Sequence, residues 1–215
     1  MGYPRGREGH GKPKVYIAGP MVFYPDAEDV FSEMKATLGR HGLDGCAPLD
    51  NQIGLERIAP GRELAAAIYR ADEELMRTVD AAIFNIDPFR RGTEMDAGTA
   101  FEVGFCRALG LPMVAWTTDC RTYPEKVSGF MKETFGLDLQ DGPRHVSGGT
   151  SGALRDADGI LVHSEGMYQN LMIDMAIEAA GGKVVAASDW KVAFSTASSL
   201  LGEIIAMTAS RPHLT

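Results

Sequence analysis

The stretch from Asp87 to Leu109, DPFRRGTEMDAGTAFEVGFCRAL, holds two carboxylates six residues apart, Asp96 and Glu102. Glu102 stands among Phe101, Val103 and Phe105, with Gly98 and Gly104 leaving room for a close approach. A carboxylate in a small apolar dent is partly desolvated, and that makes it a better nucleophile than a solvated one. A structural alternative stands beside this reading: Thr99-x-x-Glu102 fits a capping box, with Glu102 merely bonding a helix-terminal N–H. Asp72, in a helical pattern beside Glu73 and Glu74, is a third candidate acid or a solvated helix residue. Tyr16 lies in the first apolar run, which ends at Gly19. Asn51 and Gln52 follow a short apolar run and carry amides that suit the edge of a heterocyclic base; a plain Asx turn is the alternative. Asn170-Leu171-Met172 opens a helical pattern and reads either as a site element or as a helix start with Met172 in the core.

These side chains need a scaffold, and the hydrophobic pattern specifies one. Apolar runs at Lys14–Gly19, Gly45–Ala47, Ala81–Ile86, Pro112–Thr117 and Lys183–Ala186 read as buried strands. Between them, 3–4 spacing predicts helices over Asp26–Gly39, Gly61–Val79, Ala97–Leu109, Tyr168–Ala180 and Trp190–Met207. In the second of these, Leu64, Ile68, Ala71, Leu75 and Val79 form one stripe. Alternation of continuous apolar strands with helices predicts an α/β fold: a flavodoxin-like, doubly wound, five-stranded parallel sheet with helices on both faces. Ligands of such sheets sit beyond the carboxyl ends of the strands, so the loops after Gly19, Ala47, Ile86 and Thr117 are the ones to search. From Asp119 to about Gly166 the pattern lapses into polar, Gly-rich sequence, read as a functional loop or insertion centred on residues 140–165. Residues 1–13 read as a disordered basic leader and 14–215 as a single domain. Within the leader, Gly6 to Lys12 imitates a phosphate loop, but it precedes a strand and lacks the Ser/Thr that the mechanism needs.

Composition narrows the function. With 21 Lys and Arg against 29 Asp and Glu, the net charge is −8, which disfavours nucleic acid and anionic membrane surfaces. No apolar run approaches the ~18 residues of a membrane span, and a cytoplasmic location is expected. Three cysteines without a CxxC pair and five scattered histidines argue against disulfides and against a metal site, so neither metal nor cofactor is expected.

Taken in order, YIAGP at 16–20, PLDNQ at 48–52, Asp72 with Asp80, DPFRRGTEMDAGTAFEVG at 87–104 and NLM at 170–172 resemble the nucleoside 2-deoxyribosyltransferase family over most of residues 14–185. The resemblance implies a role for each matched position. Glu102 matches the family nucleophile, and Asp96 an acid that helps hold the sugar 5′-hydroxyl. Asp72 matches the acid that handles the proton on the base, and Tyr16 a tyrosine that orients the nucleophile. Gln52 matches a base-contacting glutamine, with Asn51, Gly19 and Gly98 as further substrate-contacting positions. Asn170 and Met172 match a pair that a neighbouring subunit supplies, so a homo-oligomer is implied, a dimer or larger. The insertion near 140–165 and the basic leader depart from compact relatives.

The chemistry so implied moves a 2-deoxyribosyl group between nucleobases through a glycosyl-glutamate ester, with deoxynucleosides and free bases as small-molecule partners and neither nucleic acid nor membrane. Two rivals remain: a nucleoside 5′-monophosphate N-glycosidase that gives the sugar to water, and a non-catalytic nucleotide-sensing module. Related glycosidases resemble this family but place a serine suited to phosphate near the position of Asp96. A carboxylate beside a phosphate would be repulsive, which favours nucleosides. Phe89-Arg90-Arg91 argues the other way, since its arginines are able to bind phosphate.

Overall fold

A computed structural model describes residues 11–52, 54–142, 153–163 and 165–209. Most of the proposed leader, the proposed phosphate-loop mimic from its first residue to residue 10, and residues 143–152 of the proposed insertion therefore lie outside the described residues.

Five parallel strands form the main sheet: β1 (Lys14–Ala18), β2 (Asp44–Cys46), β3 (Ala81–Asn85), β4 (Met113–Thr117) and β8 (Val184–Ala186), in the order β2-β1-β3-β4-β8. This is the flavodoxin-like order, reversing direction beside β1. The helices α1 (Ala27–Arg40), α2 (Arg62–Thr78), α3 (Ala97–Ala108), α5 (Leu171–Ala179) and α6 (Trp190–Ala209) fall where the hydrophobic period placed them. Strand alternation sorts the core into two layers. Val15, Ile17, Ile83, Val114 and Trp116 face α1 and α6, packing with Phe31, Leu38, Phe194 and Leu201. Tyr16, Ala18, Ala82, Phe84 and Met113 face the other way and pack with Met76, Val103, Cys106 and Ile177. Tyr16 and α3 thus share one face of the sheet because a strand sends successive side chains to opposite sides.

Two expectations are corrected. The stretch after Thr117 is not one long loop. It contains α4 (Tyr123–Phe135) and a separate antiparallel sheet of β5 (Gln140–Gly142), β6 (Ala153–Arg155) and β7 (Leu161–Val162). A capping box starts α4: the Glu125 carboxylate accepts from the Thr122 N–H at 2.7 Å, and Gly136 ends the helix in a left-handed conformation. The second correction concerns α6. It is long and apolar enough, by length and composition, to cross a membrane. Ala193, Phe194, Ala197, Leu201 and Ile204 nonetheless bury one side of it against the sheet layer, as expected of a helix covering a core.

Candidate active site

The site grows from the carboxyl-terminal edge of β1 and β3 and the start of α3. Tyr16 is completely buried in β1, and its hydroxyl donates to Glu102 Oε1 at 2.5 Å. Asp96, not Thr99, caps α3. Its Oδ2 accepts from the Thr99 N–H at 2.8 Å and the Thr99 hydroxyl at 3.1 Å. The capping alternative for Glu102 therefore fails: the helix end is served by Asp96, and the Glu102 carboxylate turns to Tyr16. Gly98 sits where a Cβ would come within 2.9 Å of Asp96 Oδ2, so a side chain there would crowd the capping carboxylate.

Asp72 joins the pair from α2. It is half-buried, and Gln52 Nε2 donates to its Oδ1 at 3.4 Å. The reading of Asp72 as a solvated helix acid is thereby set aside. Burial raises the pKa of Asp72 above the ordinary carboxylate value, with the Gln52 bond opposing. Burial also lifts Glu102 to about 7; the Tyr16 hydrogen bond pulls it down, and the charges of Asp72 and Asp96 push it up. Tyr16 is raised well above its ordinary value by burial and by Glu102, which keeps its hydroxyl protonated as a donor. These mutual influences place Tyr16, Asp72, Asp96 and Glu102 in one electrostatic cluster. Carboxylates that resist ionisation as Glu102 and Asp72 do are the kind used for nucleophilic and acid–base chemistry.

Other expected residues stand differently. Gly19 is buried directly after β1 with φ +153°, and a Cβ there would meet Asn85 Cβ at 2.7 Å; only glycine fits this close approach. Asn51 does not present a free amide: its Nδ2 donates to the Ala71 carbonyl at 2.8 Å and ties the PLDN turn to α2. Gly104 gives no close approach within the chain, since a Cβ there meets open space. Asn170 caps α5, its Oδ1 accepting from the Met172 N–H at 3.0 Å. Met172 is 71% exposed, so it is not the core residue that the bland alternative required. Arg90 and Arg91 adopt left-handed backbone, at φ 51° and 62°, and the Arg90 guanidinium lies 4.9 Å from the Phe89 ring centroid. Phe89 in turn stacks on Phe23 at 5.4 Å.

Several organising residues escaped sequence reasoning. The Asp87 carboxylate accepts from Asn85 Nδ2, the Thr117 and Thr118 hydroxyls and the Thr118 N–H, locking the end of β3 to the end of β4. Asp174 is buried and accepts from the Tyr168 and Gln169 N–H groups. Lys126 is buried and donates to the Tyr168 carbonyl at 2.6 Å. Gln169, fully buried, spans to Ile86 and Met95. Asp87 and Asp174 have apolar neighbours in the sequence, whereas Lys126 and Gln169 each stand next to a further polar residue, and neither pattern names a partner.

A sequence profile of the nucleoside 2-deoxyribosyltransferase family matches residues 15–172. An uncharacterized protein of Schizosaccharomyces pombe is 45% identical over 188 residues, spanning 87% of this chain and 88% of that protein. The solved structure of a 2-deoxyribosyltransferase from Leishmania mexicana is 29% identical, with TM-score 0.56, covering 86% of this chain and 97% of its own. A conserved protein from Enterococcus faecalis V583 shares the fold at 18% identity and TM-score 0.54, covering 90% of this chain and 99% of its own.

Proposed function

The chain belongs to the nucleoside 2-deoxyribosyltransferase family, and from that premise we propose that it moves a 2-deoxyribosyl group from one nucleobase to another in the cytoplasm. The observation that carries this reading is the Tyr16–Glu102 hydrogen bond inside a cluster with Asp72 and Asp96. In the proposed reaction, ionised Glu102 attacks C1′ as the glycosidic C–N bond breaks and its electron pair leaves with the base. Asp72, whose proton is held more firmly by burial, protonates that base. The glycosyl ester is then attacked by a nitrogen of a second base, Asp72 takes up the proton, and Glu102 is released as carboxylate. This is retaining glycoside logic, in which one carboxylate bonds and another moves protons. Proton delivery of this kind contributes ~10²- to 10⁴-fold in rate. A 2-deoxy sugar suits the route because no electron-withdrawing 2′-oxygen opposes positive charge at C1′. Asp96 faces the sugar 5′-hydroxyl, and Gln52 reads the base while holding Asp72. Asn170 and Met172 complete a neighbouring subunit's site in a homo-oligomer; the high exposure of Met172 supports that assignment. No step calls for a metal or cofactor.

The rival is hydrolysis of a 5′-monophosphate, favoured by Arg90 and Arg91 in the loop between β3 and α3. Incubation of a deoxynucleoside with a second free base separates the two. A new deoxynucleoside, formed without need of a 5′-phosphate, is the expected product. Free sugar alone, formed only from the 5′-phosphorylated substrate, would overturn the transferase reading.

A further inference from the structure

Gln169 is 0% exposed, yet its hydrogen bonds lead to three different parts of the site. Its Nε2 donates to the Ile86 carbonyl at 2.9 Å, at the point where the chain leaves β3 for the loop that ends at Asp96. Its Oε1 accepts from the Met95 N–H at 3.2 Å, one residue before Asp96. Its own N–H donates to the Asp174 carboxylate at 3.0 Å, and the next residue is Asn170. One amide therefore clamps both ends of the loop 87–95 and fixes them to the turn that carries Asn170. Asp96 receives its backbone placement from this clamp on one side and from the first turn of α3 on the other. The clamp has no substitute among apolar side chains. Loss of the amide leaves a buried carbonyl and a buried N–H unpaired, and the loop must move to find partners.

We infer that Gln169 is a positioning residue for substrate recognition, holding the loop 87–95 so that Asp96 meets the sugar 5′-hydroxyl. This rests on the reading above for the identity of the sugar contact. Positioning of this kind has a signature that loss of stability lacks. If Gln169 acts through Asp96, its removal abolishes discrimination at the 5′ position and lowers turnover of a 5′-deoxy donor far less.

The experiment compares kcat/KM for a 2′-deoxynucleoside and its 2′,5′-dideoxy analogue, in the wild type and in Gln169→Met, Gln169→Ala and Gln169→Glu. The alanine variant leaves room that water can occupy, and serves if the methionine variant fails to fold. The glutamate variant keeps an oxygen to accept from the Met95 N–H. The wild type is expected to prefer the 5′-hydroxyl donor by about tenfold or more, the worth of one well-placed hydrogen bond to a charged group. That ratio should fall toward one in the methionine and alanine variants. It should be largely retained in the glutamate variant, even though a buried carboxyl facing the Ile86 carbonyl makes that variant less stable to heat than the others. An unchanged ratio in the methionine or alanine variant, with both donors slowed equally, overturns the inference and leaves the transferase reading standing. Absence of any deoxynucleoside turnover by the wild type overturns the transferase reading itself, and the inference with it.

Discussion

At the scale of single residues, the account turns on an ionisable group kept out of water. As the proposed nucleophile Glu102 must be ionised to attack, yet burial raises its pKa against the pull of the Tyr16 hydrogen bond and leaves it at about 7. Removing the phenol in Tyr16→Phe takes away the lowering influence. The acid-side limb of kcat/KM should therefore move to higher pH, with activity at pH 6 falling more than activity at pH 9; a limb that stays put or moves to lower pH contradicts the assignment. Stability has the opposite sense. A carboxyl whose folded pKa exceeds its unfolded one contributes fully at low pH, and that contribution is lost as pH rises through about 7. Glu102→Gln does not suffer that loss. It should unfold at higher temperature than the wild type at pH 8, by about 1–3 kcal/mol in stability. The gap should close near pH 4, and kcat should fall by at least ~10³-fold. Stabilisation bought with lost activity is the mark of a strained functional group.

At the scale of elements, α3 presents the proposed nucleophile, and Asp96 both starts that helix and faces the proposed sugar site. The two duties separate by substitution. Asp96→Asn keeps a capping oxygen for the Thr99 N–H, so its thermal stability should stay close to that of the wild type while kcat/KM for the deoxynucleoside drops. Asp96→Ala should add a loss of about 1 kcal/mol in stability from the missing cap. Equal stability of the two variants would show that the cap carries no weight. The elements around this site were legible because each buries apolar side chains: β1 is apolar after Lys14, β3 is apolar up to Asn85, and α3 contributes Val103 and Cys106 to the core. The helix α4 was not legible for the converse reason. Lys126 is its one fully buried side chain, so no apolar stripe announces it. Its Thr122-x-x-Glu125 box with Pro124 was a readable start signal lost in polar surroundings. The site was legible as residue types at the right sheet edge, but not as bonds. Whether Thr99 or Asp96 caps α3, and whether Asn51 faces a ligand or the Ala71 carbonyl, depends on how α2 and α3 pack, which no local spacing encodes.

At the scale of the whole molecule, one surface asks for cover. Tyr69 on α2 and Phe101 on α3 are each about half exposed and lie 6.0 Å apart, and Phe101 stacks on Phe105 at 5.9 Å. On α5, which packs against α3, Leu171, Met172 and Met175 are exposed as well. On α2, Leu64, Ile68, Ala71 and Leu75 are only partly buried within one chain. Apolar area of this kind favours self-association. Sedimentation should find a dimer or larger assembly, and Phe101→Glu should shift it toward monomer with loss of turnover; a fully active monomer would refute the shared site. Mixing Asn170→Ala with Glu102→Gln should restore part of the activity that each variant lacks alone, since a mixed assembly rebuilds one intact site. The central claim is tested most directly on the intact chain, by mass analysis of protein incubated with a deoxynucleoside and no acceptor base. The account predicts the mass of one added deoxyribosyl unit, mapped to Glu102 and discharged by a free base to give a new nucleoside. Turnover with no such adduct, or an adduct mapped to another residue, would contradict it.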